Sequence, residues 1–400
     1  MFSFDTPNTP PTTKESDLCV LRLIRSRRVG PATFHRMIAE HGSARAALDA
    51  LPQVARAAGM SDYAPCPEGV AEAELRAGRR AGARLIRWDS PDYPPALRDI
   101  DGAPPILWLR GDAKWLVAAP VAVIGARNAS SLGLRMARGM AMGLGQAGHC
   151  VVAGLARGID TAAHNAALDT GTVAVMAGGI DVIYPAENAV LAAQIAEQGA
   201  LVSEQPPGTE PQARHFPLRN RIVSGLSRAV VVIEAAHRSG SLITAKAALD
   251  QGREVMAVPG HPMDARAAGC NGLIRDGATL VRSAADVAEA LAAAPQPMAP
   301  AEPAPARRRP RVIEIPEGPA PDPALAEGRA RAVTAHIRQG LPAPSNLESR
   351  ILSSLSPSPT EEDALIRDLG LSAAVLTPAI LSLELQGRVT RLAGGRLALA

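Results

Sequence analysis

The spacing of apolar positions changes several times along the chain, and the changes divide it into units. From Asp17 the residues Leu18, Leu21, Leu23 and Ile24 recur at helical spacing. The pattern resumes beyond the Val29-Gly30-Pro31 turn and predicts a small helical domain over residues 17–82, after a polar, Pro/Thr-rich start (1–16) read as disordered. Arg84–Trp88 and Ile106–Leu109 read as two strands at a sheet edge, joined by a proline-punctuated connector. From Val121 the period changes to short, fully apolar runs: Val121–Ile124, Val151–Ala153, Val173–Met176, Ala200–Ser203, Ala229–Ile233 and Glu254–Val258, most of them separated by helical patterns. Apolar runs without alternation mark strands covered on both faces, so residues 83–291 are expected to form a doubly wound, mostly parallel α/β sheet. A last unit (346–400) shows three helical patterns, around Ile351–Leu355, Glu361–Ile366 and Ala374–Gln386. It closes with Arg388–Leu392 and Arg396–Leu399 about Gly394-Gly395, predicting a winged helix with a two-stranded wing.

Composition adds a linker and removes several function classes. Ten prolines fall between residues 295 and 323, around Arg307-Arg308-Arg309 and Arg311, and predict an extended linker over 292–345 with a short helix at Ala324–Arg338. The chain has 400 residues, 47% of them hydrophobic, and a net charge of only +3, so no global charge announces a nucleic-acid binder. Cys19, Cys66, Cys150 and Cys270 are widely spaced, which argues against a metal site and a secreted disulfide framework. No apolar run approaches a membrane span and no secretory leader is evident, so a cytoplasmic location is expected.

Local charge is more informative. No Asp or Glu occurs from Ala113 to Ile159, whereas Lys114, Arg127, Arg135, Arg138 and Arg157 all lie there. The first strand ends in Gly125-Ala126-Arg127-Asn128 and the second in Gly154-Leu155-Ala156-Arg157-Gly158, so two glycine-bearing strand ends offer amides and arginines to an anion. Residues 211–233 carry Arg214, Arg219, Arg221 and Arg228 with Phe216 and no acid, ahead of a buried strand, Gly240-Ser241 and a helix. Binding a single strand needs cations along the backbone and a flat ring for bases. Arg127, Arg157, Arg214, Arg219 and Arg221 offer the cations and Phe216 the ring. The alternatives are a solvated basic face and a Phe216 that anchors its loop. A dinucleotide site is disfavoured because GARNASSLG does not fit GxGxxG and the second strand does not end in an acid.

These stretches closely resemble the DNA processing protein A (DprA/Smf) family: VAVIGARNASSLG, VVAGLARGIDTAAH, VMAGGIDVIYPAEN, LVSEQPPG, HFPLRNRIVSGLSRAVVVIEAAHRSGSLITAKAALDQGREVMAVPG and GCNGLIRDGATLV, over residues 85–285. The resemblance implies an extended Rossmann-like domain between an N-terminal SAM- or helix-hairpin-helix-like domain and a C-terminal winged helix. It also implies single-stranded DNA held in a positive pocket, a homodimer through the central domain, and the RecA recombinase as a partner in natural transformation. Its motifs fall on Gly125, Ala126 and Arg127, on Phe216, Pro217, Arg219, Asn220 and Arg221, and on Gly240, Ser241, Leu242, Thr244 and Ala245. Ala186-Glu187 departs from the basic residue many relatives carry there.

With Arg157, Gly158 and Arg214, these residues make the expected site, with no cofactor, metal or catalytic group. The rival is a nucleotide-processing enzyme similar to the lysine-decarboxylase-like phosphoribohydrolases. Here HRSGSLIT places Thr244 where their PGGxGTxxE places the catalytic glutamate, so the general acid or base is missing. On the sequence alone, Arg127→Ala and Arg219→Ala are both expected to weaken single-strand binding and flatten its salt dependence.

Overall fold

The computed structural model describes residues 17–60, 62–293, 344–355, 360–371, 373–392 and 396–399. The expected disorder of residues 1–16, most of the linker and the Gly394-Gly395 turn lie outside them.

Four helices open the chain: α1 (Asp17–Arg25), α2 (Pro31–His41), α3 (Ala44–Ala57) and α4 (Glu68–Arg80). Each carries its apolar positions on one side, and Leu21, Leu23, Phe34, Met37 and Leu51 are fully enclosed. Gly42 ends α2 at φ 78°, which glycine adopts at no steric cost. The domain is fixed to the sheet by Trp108, whose indole donates to Glu74 while Arg25 pairs with the same carboxylate at 2.8 Å. A Cβ at Gly78 would stand 2.0 Å from the Trp108 ring, so this close approach requires glycine.

The central sheet has nine strands, ordered β1-β2-β6-β5-β4-β3-β7-β8-β9. The two expected edge strands are β1 (Arg84–Arg87) and, beyond the one-turn helix α5 (Pro95–Arg98), β2 (Ile106–Gly111). They pair antiparallel with each other, and β2 pairs antiparallel with β6. The other seven run parallel: β3 (Val121–Ile124), β4 (Val151–Ala153), β5 (Thr172–Val175), β6 (Ala200–Ser203), β7 (Ala229–Val232), β8 (Glu254–Ala257) and β9 (Thr279–Leu280). Every residue of β3 to β7 is buried, the physical counterpart of their unalternating apolar runs. Strand β9 has only two residues, both exposed, and no apolar run marks it.

Helices α6 (Ser131–Gln146), α7 (Ile159–Ala167), α8 (Ala189–Gln198), α9 (His215–Leu226), α10 (Ser241–Asp250), α11 (Ala268–Arg275) and α12 (Ala284–Ala293) cover the two faces. The chain winds outward from β3 through β4 and β5 to β6, then returns to lay β7 on the other side of β3. A crevice therefore opens beyond the carboxyl ends of β3 and β7, where adjacent connections leave in opposite directions. The thiols of Cys19, Cys66, Cys150 and Cys270 are all buried, and no disulfide joins them. Among the described residues no helix is long and apolar enough to cross a membrane.

The C-terminal unit contains α13 (Pro344–Ser354), α14 (Glu362–Leu369) and α15 (Ala373–Leu385). Its sheet departs from the expected two-stranded wing. Besides β11 (Val389–Arg391) and β12 (Arg396–Leu399), a two-residue strand β10 (Thr360–Glu361) pairs with the free edge of β12, so Glu361 lies in a strand and not in a helix start. Two residues are too few for period-2 alternation to show, and only the presence of β12 recruits them. Leu347, Ile351, Leu365, Leu376, Ile380 and Leu397 form the unit's own core. Leu381 and Leu385 of α15 instead join the core of the N-terminal helices.

Candidate nucleic-acid interface

The crevice holds a cavity of about 850 Å³. Four segments far apart in sequence build it: the loop after β3 (Gly125–Asn128), the end of β4 (Gly154, Ala156), the first turns of α9 (Phe216, Arg219, Asn220) and the start of α10 (Gly240, Ser241, Thr244).

Glycine permits the first two loops to touch. A Cβ at Gly125 would fall 2.9 Å from the Glu234 carbonyl, and Gly158, at φ 73°, packs where a Cβ would lie 2.3 Å from the Ala126 carbonyl. Ala126 N–H donates to the Glu234 carbonyl at 2.7 Å, and the Glu234 carboxylate accepts from Ser130 N–H at 2.8 Å, fixing the start of α6. The exposed Arg127 is thereby presented at the mouth. Its guanidinium lies 5.0 Å over the Phe216 ring, whose other neighbour is Tyr184, edge-on at 5.9 Å. Phe216 is half-buried on the cavity wall, one ring face covered by an exposed cation.

The two arginines of the RNR motif are placed differently. Arg219 is 6% exposed. Its Nη1 donates to the carbonyls of Gly154 and Val175, the latter at 2.7 Å, and its Nε to Asn220 Oδ1 at 3.2 Å, while Nη2 carries no hydrogen bond among the described residues. Asp160 faces it, fully buried, accepting from Gly154 N–H at 3.0 Å and Ala156 N–H at 3.3 Å. Burial raises the Asp160 carboxyl, opposed by the Arg219 charge and these two amides. Burial also lowers Arg219 to about 10, which leaves it charged at neutral pH. Arg219 thus ties the ends of β4 and β5 to α9 and offers the cavity one Nη2. Arg221 points the other way and pairs with Glu204. Arg157 is exposed but pairs at 2.9 Å with Glu187, the acidic residue of YPAEN. Arg214 is exposed and donates to His215 Nε2 at 3.4 Å. Arg157, Gly158, Arg214 and Arg221 stand outside the cavity lining, whereas Gly125, Arg127, Phe216, Arg219, Asn220, Gly240, Ser241 and Thr244 belong to it.

Two cations escaped the sequence reading. Arg238, in the loop before α10, and Arg266, beyond β8, line the cavity, are exposed and have no carboxylate partner among the described residues. Arg238 was legible in HRSGS beside the glycine-serine turn, whereas Arg266 sits in MDARAAG with no local signal. With Arg127 they line the same cavity as the α10 start, where the hydroxyls of Ser239 and Ser241 lie 2.7 Å apart and the positive end of the helix favours an anion. The nearby carboxylates are occupied: Asp160 by amides, Glu234 by Ser130 and Glu204 by Arg221.

Known proteins resemble this chain in sequence and fold. Family models match the chain in three places: DNA recombination-mediator protein A at residues 84–292, a DprA-like N-terminal HHH domain at 14–77 and a DprA winged helix domain at 335–395. The DNA processing protein DprA of Bacillus subtilis is 42% identical over 220 residues, spanning 54% of this chain and 74% of its own. Protein Smf of Synechocystis is 34% identical over 342 residues, spanning 80% and 81%. The X-ray structure of DNA processing protein A from Streptococcus pneumoniae superposes with a TM-score of 0.57 at 34% identity, covering 69% of this chain and 98% of that one.

Proposed function

Because this chain belongs to the DNA recombination-mediator protein A family, we propose that its central cavity binds single-stranded DNA as a non-catalytic step of DNA processing. The observation that carries this reading is the cavity wall itself. Three exposed arginines without carboxylate partners among the described residues (Arg127, Arg238, Arg266) and the start of α10 line one cavity with an aromatic ring, Phe216, over which Arg127 lies. Cations neutralise the backbone and release counterions, and the ring stacks a base without reading its identity. Catalysis has no support in the wall, since Thr244 stands where a glutamate would act and the neighbouring carboxylates hold structure.

Protection of incoming strands and hand-off to the RecA recombinase in natural transformation extend the proposal. Both follow from the resemblance, as does a cytoplasmic homodimer. For the dimer the fold offers an exposed edge strand, β9, with Leu280 46% exposed. A titration of labelled oligonucleotides of several sequences tests the core of the reading. Preference for single strands over duplex, little dependence on sequence, and affinity falling linearly in log salt are the expected outcome. Turnover of a nucleoside monophosphate, or a steep sequence dependence, would overturn it. The RecA step is tested separately by the lag of RecA's single-strand-dependent ATPase with and without this protein.

A further inference from the structure

Beside the cavity mouth stands an aromatic ring that the cavity does not use. Tyr184 lies in the connection from β5 to α8 and is 50% exposed, the one exposed aromatic among the described residues. Only three tyrosines occur in the chain, and the other two, Tyr63 and Tyr93, are buried. The loop that carries Tyr184 is held at both ends. Gly179 N–H donates to the Thr209 carbonyl at 2.8 Å, and Asp181 Oδ1 accepts from Gly208 N–H at 2.7 Å. On the far side the buried Asn188 donates through Nδ2 to the Leu155 carbonyl and to Thr161 Oγ1, each at 2.9 Å. The ring is therefore presented on a backbone already ordered before any ligand arrives.

Its place in the sheet continues the cavity's own row of side chains. The carboxyl ends of β5, β4, β3, β7 and β8 follow one another along the sheet, and the loops leaving them carry Tyr184, Arg157, Arg127, Arg238 and Arg266 in that order. At about 4.8 Å between strands the row runs about 19 Å. The cavity takes up the last three positions. Tyr184 meets Phe216 edge-on, with ring centroids 5.9 Å apart, so the ring on the cavity wall and the ring outside it are neighbours. Arg157 reaches Glu187, three residues beyond Tyr184, and pairs with it at 2.9 Å with both side chains more than half exposed. An ion pair so open to water contributes little to stability, and a phosphate offers the guanidinium the same charge-assisted hydrogen bonds as the carboxylate does.

We propose that Tyr184 and Arg157 form a second nucleotide subsite outside the cavity, in which Tyr184 stacks one base of the bound single strand and Arg157 leaves Glu187 for that nucleotide's phosphate. This subsite rests on the single-strand reading of the cavity and extends its footprint by one nucleotide toward β5. Stacking uses the face of a base and none of its edges, so the subsite takes any base. Glu187 holds the subsite weak, because its carboxylate competes with the phosphate for Arg157.

Filter binding of oligothymidylates from three to twelve nucleotides, with the full chain, tests this. Tyr184→Ala is expected to lower the affinity of the longer oligonucleotides by about fivefold or more and to leave that of the shortest ones that bind unchanged. Tyr184→Phe keeps the ring and is expected to bind like wild type at every length. Arg157→Ala is expected to lower the salt slope by about 0.7 with the longer oligonucleotides alone, and Glu187→Gln to tighten their binding by about threefold, a gain that disappears when Arg157→Ala is added. Equal loss at every length in Tyr184→Ala would make the ring a prop for Phe216 and overturns the subsite. So does wild-type affinity of Tyr184→Ala at twelve nucleotides, or a Tyr184→Phe chain as weak as Tyr184→Ala. A wild-type chain that binds no single strand at any length fails the reading of the cavity itself and takes the subsite with it.

Discussion

In the proposed reading, Arg127 and Phe216 are the pair through which the cavity would act on a strand, and they compete for each other. With the guanidinium 5.0 Å over the ring, a base reaches the ring only when Arg127 turns to a phosphate. Phe216→Ala is expected to cost about 1–3 kcal/mol per stacked base while leaving the salt slope unchanged. Arg127→Ala is expected to lower that slope by about 0.7. Filter binding at four salt concentrations separates the two effects.

Arg219 requires a different expectation from the one its motif gives. Removing it strips the buried Gly154 and Val175 carbonyls of a donor and leaves Asp160 with only its two amides and the Arg127 charge, so Arg219→Ala is expected to destabilise the fold by about 2 kcal/mol or more, read by urea unfolding. Loss of binding with unchanged stability would return it to the role of a free cation. His164 adds a pH dependence. It is wholly buried, its Nδ1 2.7 Å from Thr172 Oγ1, and burial lowers it from 6.5 to about 3. The unfolded chain therefore binds the extra proton between those values, so stability is complete above pH 6.5 and is lost as pH falls toward 3, by up to about 1.4 kcal/mol per unit. Urea midpoints measured from pH 7 to pH 5 are expected to drop, and to drop less in His164→Gln.

At the scale of elements, the cavity depends on strand ends that accept no extra atom. Gly154 ends β4 where a Cβ would stand 1.7 Å from Arg219 Nη1. Gly154→Ala is expected to displace that guanidinium, breaking its bonds to the Gly154 and Val175 carbonyls, and to destabilise the protein by about 2 kcal/mol or more. Single-strand affinity is expected to fall with it, because the first turn of α9, which carries Phe216, is positioned by Arg219. Calorimetry and the same filter-binding titration check both parts. Unchanged melting would show that the loop yields more easily than its packing implies.

For the whole molecule, the order of the strands creates the site and also leaves an edge. One end of the sheet is closed by β1 and β2 beneath the N-terminal helices, and the other ends at β9 with Thr279 and Leu280 exposed. A short edge strand with an exposed Leu280 is a surface suited to a second copy of the chain. Sedimentation at micromolar concentration is expected to give a dimer that Leu280→Lys dissociates. A wild-type monomer would remove the dimer from the proposal.

Much of the architecture was legible because parallel strands buried on both faces cannot hide. Val121–Ile124, Val151–Ala153 and Ala229–Ile233 had to be apolar throughout, and glycines had to stand where loops approach backbone. Local sequence also determined the existence of a basic, acid-poor set of strand ends and the absence of a glutamate at Thr244. It had no means of deciding which arginines are free. Arg127, Arg157, Arg219 and Arg221 are alike in sequence, yet one covers a ring, one meets Glu187, one is locked inside the fold and one meets Glu204. The hydrogen bonds that hold the last three span 17 to 65 positions and are set by strand order, as are the recruitment of Arg266 to the cavity and of β10 to the wing. The docking of Glu384 and Leu385 on Arg36 and Arg28 spans still more of the chain. The chain therefore determined its helices, strands and supply of cations by local pattern, and tertiary packing alone decided which of those cations remain free to meet DNA.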